Sequence, residues 1–157
     1  MRIREGDPLE IYTNRDGEVI FKKYSPIGEL GDFASLYTET LSKTSGHPVC
    51  ITDKDNVIAV SGVPKREICD KRLSPEVEKC IEDRTHFLAK PGENKKISVV
   101  DGNEKYSAGV LCPIISEGDT IGSVIFFANE NSNPIMGEIE EKLAQSAANF
   151  LGRHMEQ

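Results

Sequence analysis

Residues 106–128 read YSAGVLCPIISEGDTIGSVIFFA, and the fold follows from how this stretch divides. Two apolar runs, Tyr106–Ile115 and Thr120–Ala128, flank the turn residues Ser116-Glu117-Gly118-Asp119. A strand with one wet face alternates apolar and polar residues. These runs are almost continuously apolar, which predicts a hairpin at the centre of a sheet covered on both faces. Gly109 and Gly122 leave room on that hairpin for a neighbouring backbone, a side chain or a ligand to come close.

On the N-terminal side, Ile97–Val100 predicts a short strand ended by Asp101-Gly102, preceded by a loop over 85–96. Ser74 is placed to cap a helix whose first position is Pro75 and whose apolar side is Val77, Cys80 and Ile81. Val49–Asp53 and Val57–Ser61, joined by Lys54-Asp55-Asn56, predict a second hairpin that Gly62-Val63-Pro64 breaks. On the C-terminal side, residues 129–134 are a polar linker. Residues 136–154 then predict a helix with Ile139, Leu143, Ala147, Phe150 and Leu151 on one face.

Residues 26–44 predict another helix, with Ser25 to cap it and Pro26 in its first turn. Its apolar residues Ile27, Leu30, Ala34, Tyr37 and Leu41 recur at spacings of 3, 4, 3 and 4. So narrow a seam suits a helix lying on its own sheet or one meeting a helix of a second chain. With the face at Leu143 and Phe150, it makes a homodimer the expected assembly. Further upstream, Leu9–Thr13 and Glu18–Tyr24 flank Asn14-Arg15-Asp16-Gly17, a third hairpin, and two strands alone are marginal in water. The element order suits an α/β sandwich (α+β) with a five- or six-stranded antiparallel sheet.

The chain has 157 residues and a net charge of −7, unevenly placed. Residues 1–24 hold five basic and five acidic side chains, whereas residues 25–157 hold 14 basic and 21 acidic ones. The acidic part repels a phosphate backbone, so it is not expected to bind nucleic acid. No apolar run approaches the ~18 residues that span a bilayer, and MRIREGDPLE has no apolar core for a secretory signal. A cytoplasmic protein without membrane contact is the expectation.

Nothing in the sequence forms a catalytic constellation. His47, His86 and His154 are far apart, and no phosphate-cradling glycine motif is present. Cys50, Cys69, Cys80 and Cys112 include no C-x-x-C pair, so neither a metal nor a cofactor is expected. Cys50 and Cys112 lie in strand patterns, where a free thiol behaves as a small hydrophobe.

Two resemblances extend this reading. Cys112-Pro113-Ile114, Glu117-Gly118-Asp119 and Ile121-Gly122-Ser123-Val124-Ile125-Phe126 resemble the late hairpin of the GAF domain family. Ile3–Ile11 followed by Arg15–Tyr24 resembles the second half of an AbrB-type swapped-hairpin DNA-binding domain. Ser25–Ala34, Met136-Gly137-Glu138 and Ala148–Gln157 carry the likeness along essentially the whole chain, to sporulation regulators that join those two domains. The implied division is 1–24 as the remnant of the AbrB-type domain, 25–46 as a linker and dimerisation helix, and 47–157 as the GAF/PAS-like regulatory domain. Most DNA-contacting arginines of that family precede the point where this chain begins. Arg2 and Arg4 are then a weak remnant of the DNA-binding edge, and DNA would be reached only through the preceding segment.

A GAF-like fold also implies an unknown small-molecule effector, in a pocket left open by Ala108, Gly109 and Gly122 on the sheet face that the terminal helices leave to loops and the 74–84 helix. Ser61, Arg84, Thr85, His86 and Tyr106 are its expected lining; Arg84 either faces a cavity bounded by Tyr106 and holds a carboxylate or phosphate, or stands in solvent at a helix end favoured by the dipole. Two alternatives stand beside this one. One is a thiol enzyme such as a free methionine sulfoxide reductase, for which Cys69, with Lys65, Arg66, Lys71 and Arg72 nearby to lower its pKa, or Cys80 would serve. The other is a dimerisation module that binds nothing.

Overall fold

The structure, a computed structural model, describes residues 31–89, 97–128 and 137–155 (residue 104 by its backbone alone) and the backbone of residues 9–13 and 19–23. The upstream hairpin is present as β1 (Leu9–Thr13) and β2 (Val19–Lys23), antiparallel with Leu9 opposite Lys23, in a two-stranded sheet of their own. After it come α1 (Gly31–Ser45), β3 (Val49–Thr52), β4 (Val57–Ser61), α2 (Lys65–Ile68) and α3 (Pro75–Glu82). Then follow β5 (Phe87–Leu88), β6 (Ser98–Val100), β7 (Asn103–Ser116), β8 (Asp119–Ala128) and α4 (Glu138–Met155).

Six strands form one antiparallel sheet in the order β4-β3-β8-β7-β5, with β6 also paired to β7. The hairpin expected at the centre is there, and β7 runs longer than its apolar core because it also pairs with β6. Ser116 faces Asp119, so Glu117 and Gly118 alone make the turn, with φ of 51° and 85°. Two positive φ values are what a tight two-residue hairpin turn needs, and Gly118 adopts one without strain. At Gly122 the missing side chain has a definite use. A Cβ there would overlap the carbonyl oxygen of Thr52 on the neighbouring strand. The gap expected to open a pocket is filled by main chain.

Both faces of the sheet are covered, as continuous apolar strands require. On one face, α1 and α4 bury Ala34, Leu41, Ala144, Ala147, Ala148 and Leu151 against Val49, Ile51, Val110, Ile114, Val124 and Phe126. On the other, α2, α3 and β6 bury Ile68, Leu73, Val77, Ile81 and Val99 against Cys50, Leu111, Ile125 and Phe127. The Ser74 hydroxyl accepts from the Val77 N–H at 3.2 Å, and Pro75 follows at the first helical position, as expected. The short helix α2 and the two-residue strand β5 have no local signal of their own and form only against their neighbours.

Candidate functional site

The five residues expected to line a pocket fall in three separate places: Ser61, the run Arg84-Thr85-His86, and Tyr106. Tyr106, near the start of β7, is buried against the Phe127 ring, and its hydroxyl donates to Glu67 of α2. Lys105 completes this cluster, 3.5 Å from Glu67 and 5.3 Å from the centre of the Tyr106 ring. The Tyr106 hydrogen bond holds the Glu67 carboxyl below its usual range, and the same bond raises the phenol. Tyr106 is thus a partner to α2, not a wall of a cavity.

Arg84 is at the other end of the sheet. It follows α3 with a φ of 57°, is exposed, and donates to the Gly118 carbonyl at the β7–β8 turn. From Tyr106 to that turn is roughly 30 Å of strand. Arg84 therefore does not face a cavity bounded by Tyr106; it ties the end of α3 to a hairpin. Thr85 is exposed and continues the helix end, its N–H donating to Cys80 O at 2.9 Å. His86 is exposed, with Nδ1 3.7 Å from Cys112 Sγ. Ser61 ends β4, opposite Val49, and the following Gly62 sits against Pro48. The sheet face expected to hold the pocket is instead packed with Ile68, Leu73, Val77 and Ile81, all buried.

Cys50 and Cys112 are buried, as their strand patterns predict, whereas Cys69 differs from the reactive alternative. Burial, with the Asp70 charge adding to it, raises the Cys69 pKa, so the nearby cations do not make it a thiolate. Cys112 is pushed up to about 11 by burial and by Glu141, and burial raises Cys50 as well. Among the described residues no cluster of three His, Cys, Asp or Glu side chains is placed to hold a metal ion.

A different site emerges on α1 and α4. These helices lie antiparallel, because the N-terminal half of α1 meets the C-terminal half of α4. Phe33 stacks on His154 with ring centres 5.0 Å apart, and Tyr37 stacks on Phe150 at 5.6 Å. Burial in that stack raises the Tyr37 pKa. At the opposite end, His47 is buried with Nε2 3.4 Å from Glu140 Oε1, while Glu140 Oε2 accepts from the Gly137 N–H at 2.9 Å. The Gly137 bond, and then His47, hold the Glu140 carboxyl below its usual value. The two helices are therefore joined at both ends.

The seam read from the sequence is turned relative to this geometry. Ala34 and Leu41 face inward and close the core with Thr38, while Tyr37 is half-buried in the aromatic stack. Ile27 and Leu30 lie outside the described residues, as do Arg2 and Arg4. On α4, Ala147 and Leu151 are buried and Leu143 is half-buried, whereas Phe150 is 48% exposed. The apolar side chains turned to solvent are Leu36, 64% exposed, and Ile139, 73% exposed. Leu36 carried no weight in the sequence reading. Its signal is Phe33-Leu36-Thr40, a second spacing of 3 and 4 one position before the chosen seam.

Comparison with known proteins places this architecture. A family described as stage V sporulation protein T C-terminal, transcription factor, matches residues 29–156. Stage V sporulation protein T of Bacillus subtilis (strain 168) is 46% identical over 158 residues, covering 100% of this chain and 86% of that protein. A GAF domain/HD domain protein from Geobacter sulfurreducens superposes with a TM-score of 0.52 at 17% identity, over 82% of this chain and 93% of that one. A type II free methionine-R-sulfoxide reductase from Thermoplasma acidophilum gives 0.56 at 10% identity, over 80% and 94%. At such identities the two solved structures share the fold alone.

Proposed function

The chain belongs to the stage V sporulation protein T C-terminal family of transcription factors, and from that membership we propose that its GAF-like part joins two chains through the outer face of α1 and α4. One observation carries this reading. The α1–α4 pair already has a complete core beneath it, and it still exposes Leu36, Ile139 and Phe150. Exposed apolar side chains on the outer side of one helical layer are available for contact with another surface. A second copy presenting the same face fits the two-fold logic of most soluble oligomers.

In this reading the domain sets the spacing and orientation of DNA-binding elements, and it performs no chemistry. The raised Cys69 thiol, one of the two candidates, and the scattered polar residues support that over a reductase. No helix among the described residues is long and apolar enough to cross a membrane, which fits a cytoplasmic regulator.

Sedimentation equilibrium tests the assembly. The unmodified chain is expected to be a dimer at micromolar concentration. Leu36→Glu combined with Ile139→Glu should give a folded monomer, because surface substitutions typically change stability by within about 0.5 kcal/mol. A monomeric unmodified chain, or a double variant that stays dimeric, rejects the proposal.

A further inference from the structure

Beside the proposed contact face lies a groove of about 610 Å³, lined by Ile115 from the end of β7 and by Asn149, Phe150 and Arg153 from α4. Its shape comes from a close approach next to it. A Cβ at Gly152 would overlap the Ile115 carbonyl oxygen, so the helix backbone sits directly on β7 there. The larger side chains on either side of Gly152 must spread around that contact. Ile115 and Phe150 are both substantially exposed, which leaves two apolar walls facing solvent.

The polar side of the groove is cationic. Asn149 and Arg153 are four residues apart on a helix, so they lie on one face. Among the described residues Lys43, Arg72, Lys105 and Lys142 each sit within 4 Å of a carboxylate. Arg84 is engaged by the Gly118 carbonyl. No described carboxylate pairs with Arg153, as none pairs with Lys54, Lys65, Arg66, Lys71 or Lys79, but of these Arg153 alone lines the groove. A guanidinium between apolar walls suits one kind of guest. A carboxylate can accept two parallel hydrogen bonds from it while an apolar body covers Ile115 and Phe150. A cation would be repelled, and a wholly apolar guest would strip water from the guanidinium without replacing it. The volume is within the range of small-molecule sites.

We propose that this groove binds a small carboxylate with an apolar body. Its site is on the α4 side of the sheet, away from the α2–α3 face where a pocket was expected. A regulatory consequence follows, and it rests on the two-chain reading. Phe150 belongs both to the groove and to the outer helical face, so a guest that holds its ring competes with the second copy. By linkage, binding should then weaken assembly by the same factor by which assembly weakens binding.

The probe is 4-phenylbutyrate, with 4-phenylbutyramide as its uncharged counterpart, titrated into ¹⁵N-labelled full chain and followed by amide shifts. The expected result is saturable shifts at Ile115, Asn149, Phe150 and Arg153. Affinity should fall at least tenfold for the amide and for Arg153→Gln, with Arg153→Lys in between because it keeps the charge and loses the fork. No saturable shift at these residues, equal affinity for acid and amide, or an unchanged affinity in Arg153→Gln overturns the proposal. Sedimentation run with and without probe separates the two readings. A monomer without probe removes the assembly while the binding result stands, and a dimer that shows no binding removes the groove alone.

Discussion

The two faces of the central sheet are built from the same strands, yet they are finished differently. Phe126 and Phe127 are neighbours on β8, and each is buried in the core of a different face. On the α2–α3 side the cover is short, made of a four-residue and an eight-residue helix with β6, and its outward surface is largely charged. On the α1–α4 side, two long helices lie on the sheet, α4 through Ala144, Ala147, Ala148 and Gly152, and their outward surface keeps apolar and aromatic side chains. A completed core needs nothing further from its cover. The apolar residues left outside α1 and α4 are therefore in excess of what the fold requires, and that excess is the mark of a contact surface.

The sharpest way to break this comparison is to cut the two cores separately. Phe126→Ala and Phe127→Ala should each cost about 3–5 kcal/mol in urea unfolding, as large aromatic deletions in cores do. The faces are told apart by assembly. Phe126→Ala should also weaken the dimer measured by sedimentation, because α1 and α4 rest on it, while Phe127→Ala should leave dimer affinity unchanged wherever the chain is still folded. Equal weakening by both would mean that the two faces are not distinct in function.

A smaller change probes how α4 is seated. Gly152→Ala should destabilise by about 1–3 kcal/mol although alanine is the better helix former, since the new methyl meets backbone and not a movable side chain. Thermal unfolding checks the sign. A more stable variant would show that α4 has freedom to lift from Ile115, and the groove beside it would then be a loose feature.

The smallest effect concerns the His47–Glu140 clasp at the other end of the helix pair. The Glu140 carboxyl is held below its usual pKa in the folded chain, first by the Gly137 N–H and then by His47. A carboxyl lowered by folding contributes stability that is present above its unfolded pKa and is lost as pH falls through the folded one. Glu140→Gln should therefore lower stability by about 1 kcal/mol at pH 7, the size of one net hydrogen bond. Unfolding midpoints of the two chains should converge as the pH falls below the ordinary carboxylate range. A difference that persists undiminished into acid would remove the ionised clasp as its cause.

How much of this was legible in advance depends on how far apart the cooperating residues are. The β7–β8 hairpin, the β3–β4 hairpin and the Ser74-Pro75 helix start were read correctly, because each signal lies within a few adjacent residues. The expected pocket was not, because its members were grouped by analogy to a fold and their partners are distant in sequence. Tyr106 is held by Glu67, 39 residues away, and Arg84 by Gly118, 34 residues away. Cys69 failed in the same way, since a count of nearby lysines and arginines says nothing about burial.

By itself, then, the sequence determined every strand but β5, the main turns, the buried thiols and the presence of two amphipathic helices. These follow from apolar runs, turn residues and helical spacing, all of them local. Only the tertiary structure decided which stripe of each helix faces inward. With 3.6 residues per turn, a short helix offers more than one plausible stripe, 33-36-40 beside 34-37-41 in α1. The choice is made by the sheet, which takes Ala34 and Leu41 into its core, and by α4, whose Phe150 ring stacks on Phe33 and Tyr37 and so leaves Leu36 outside.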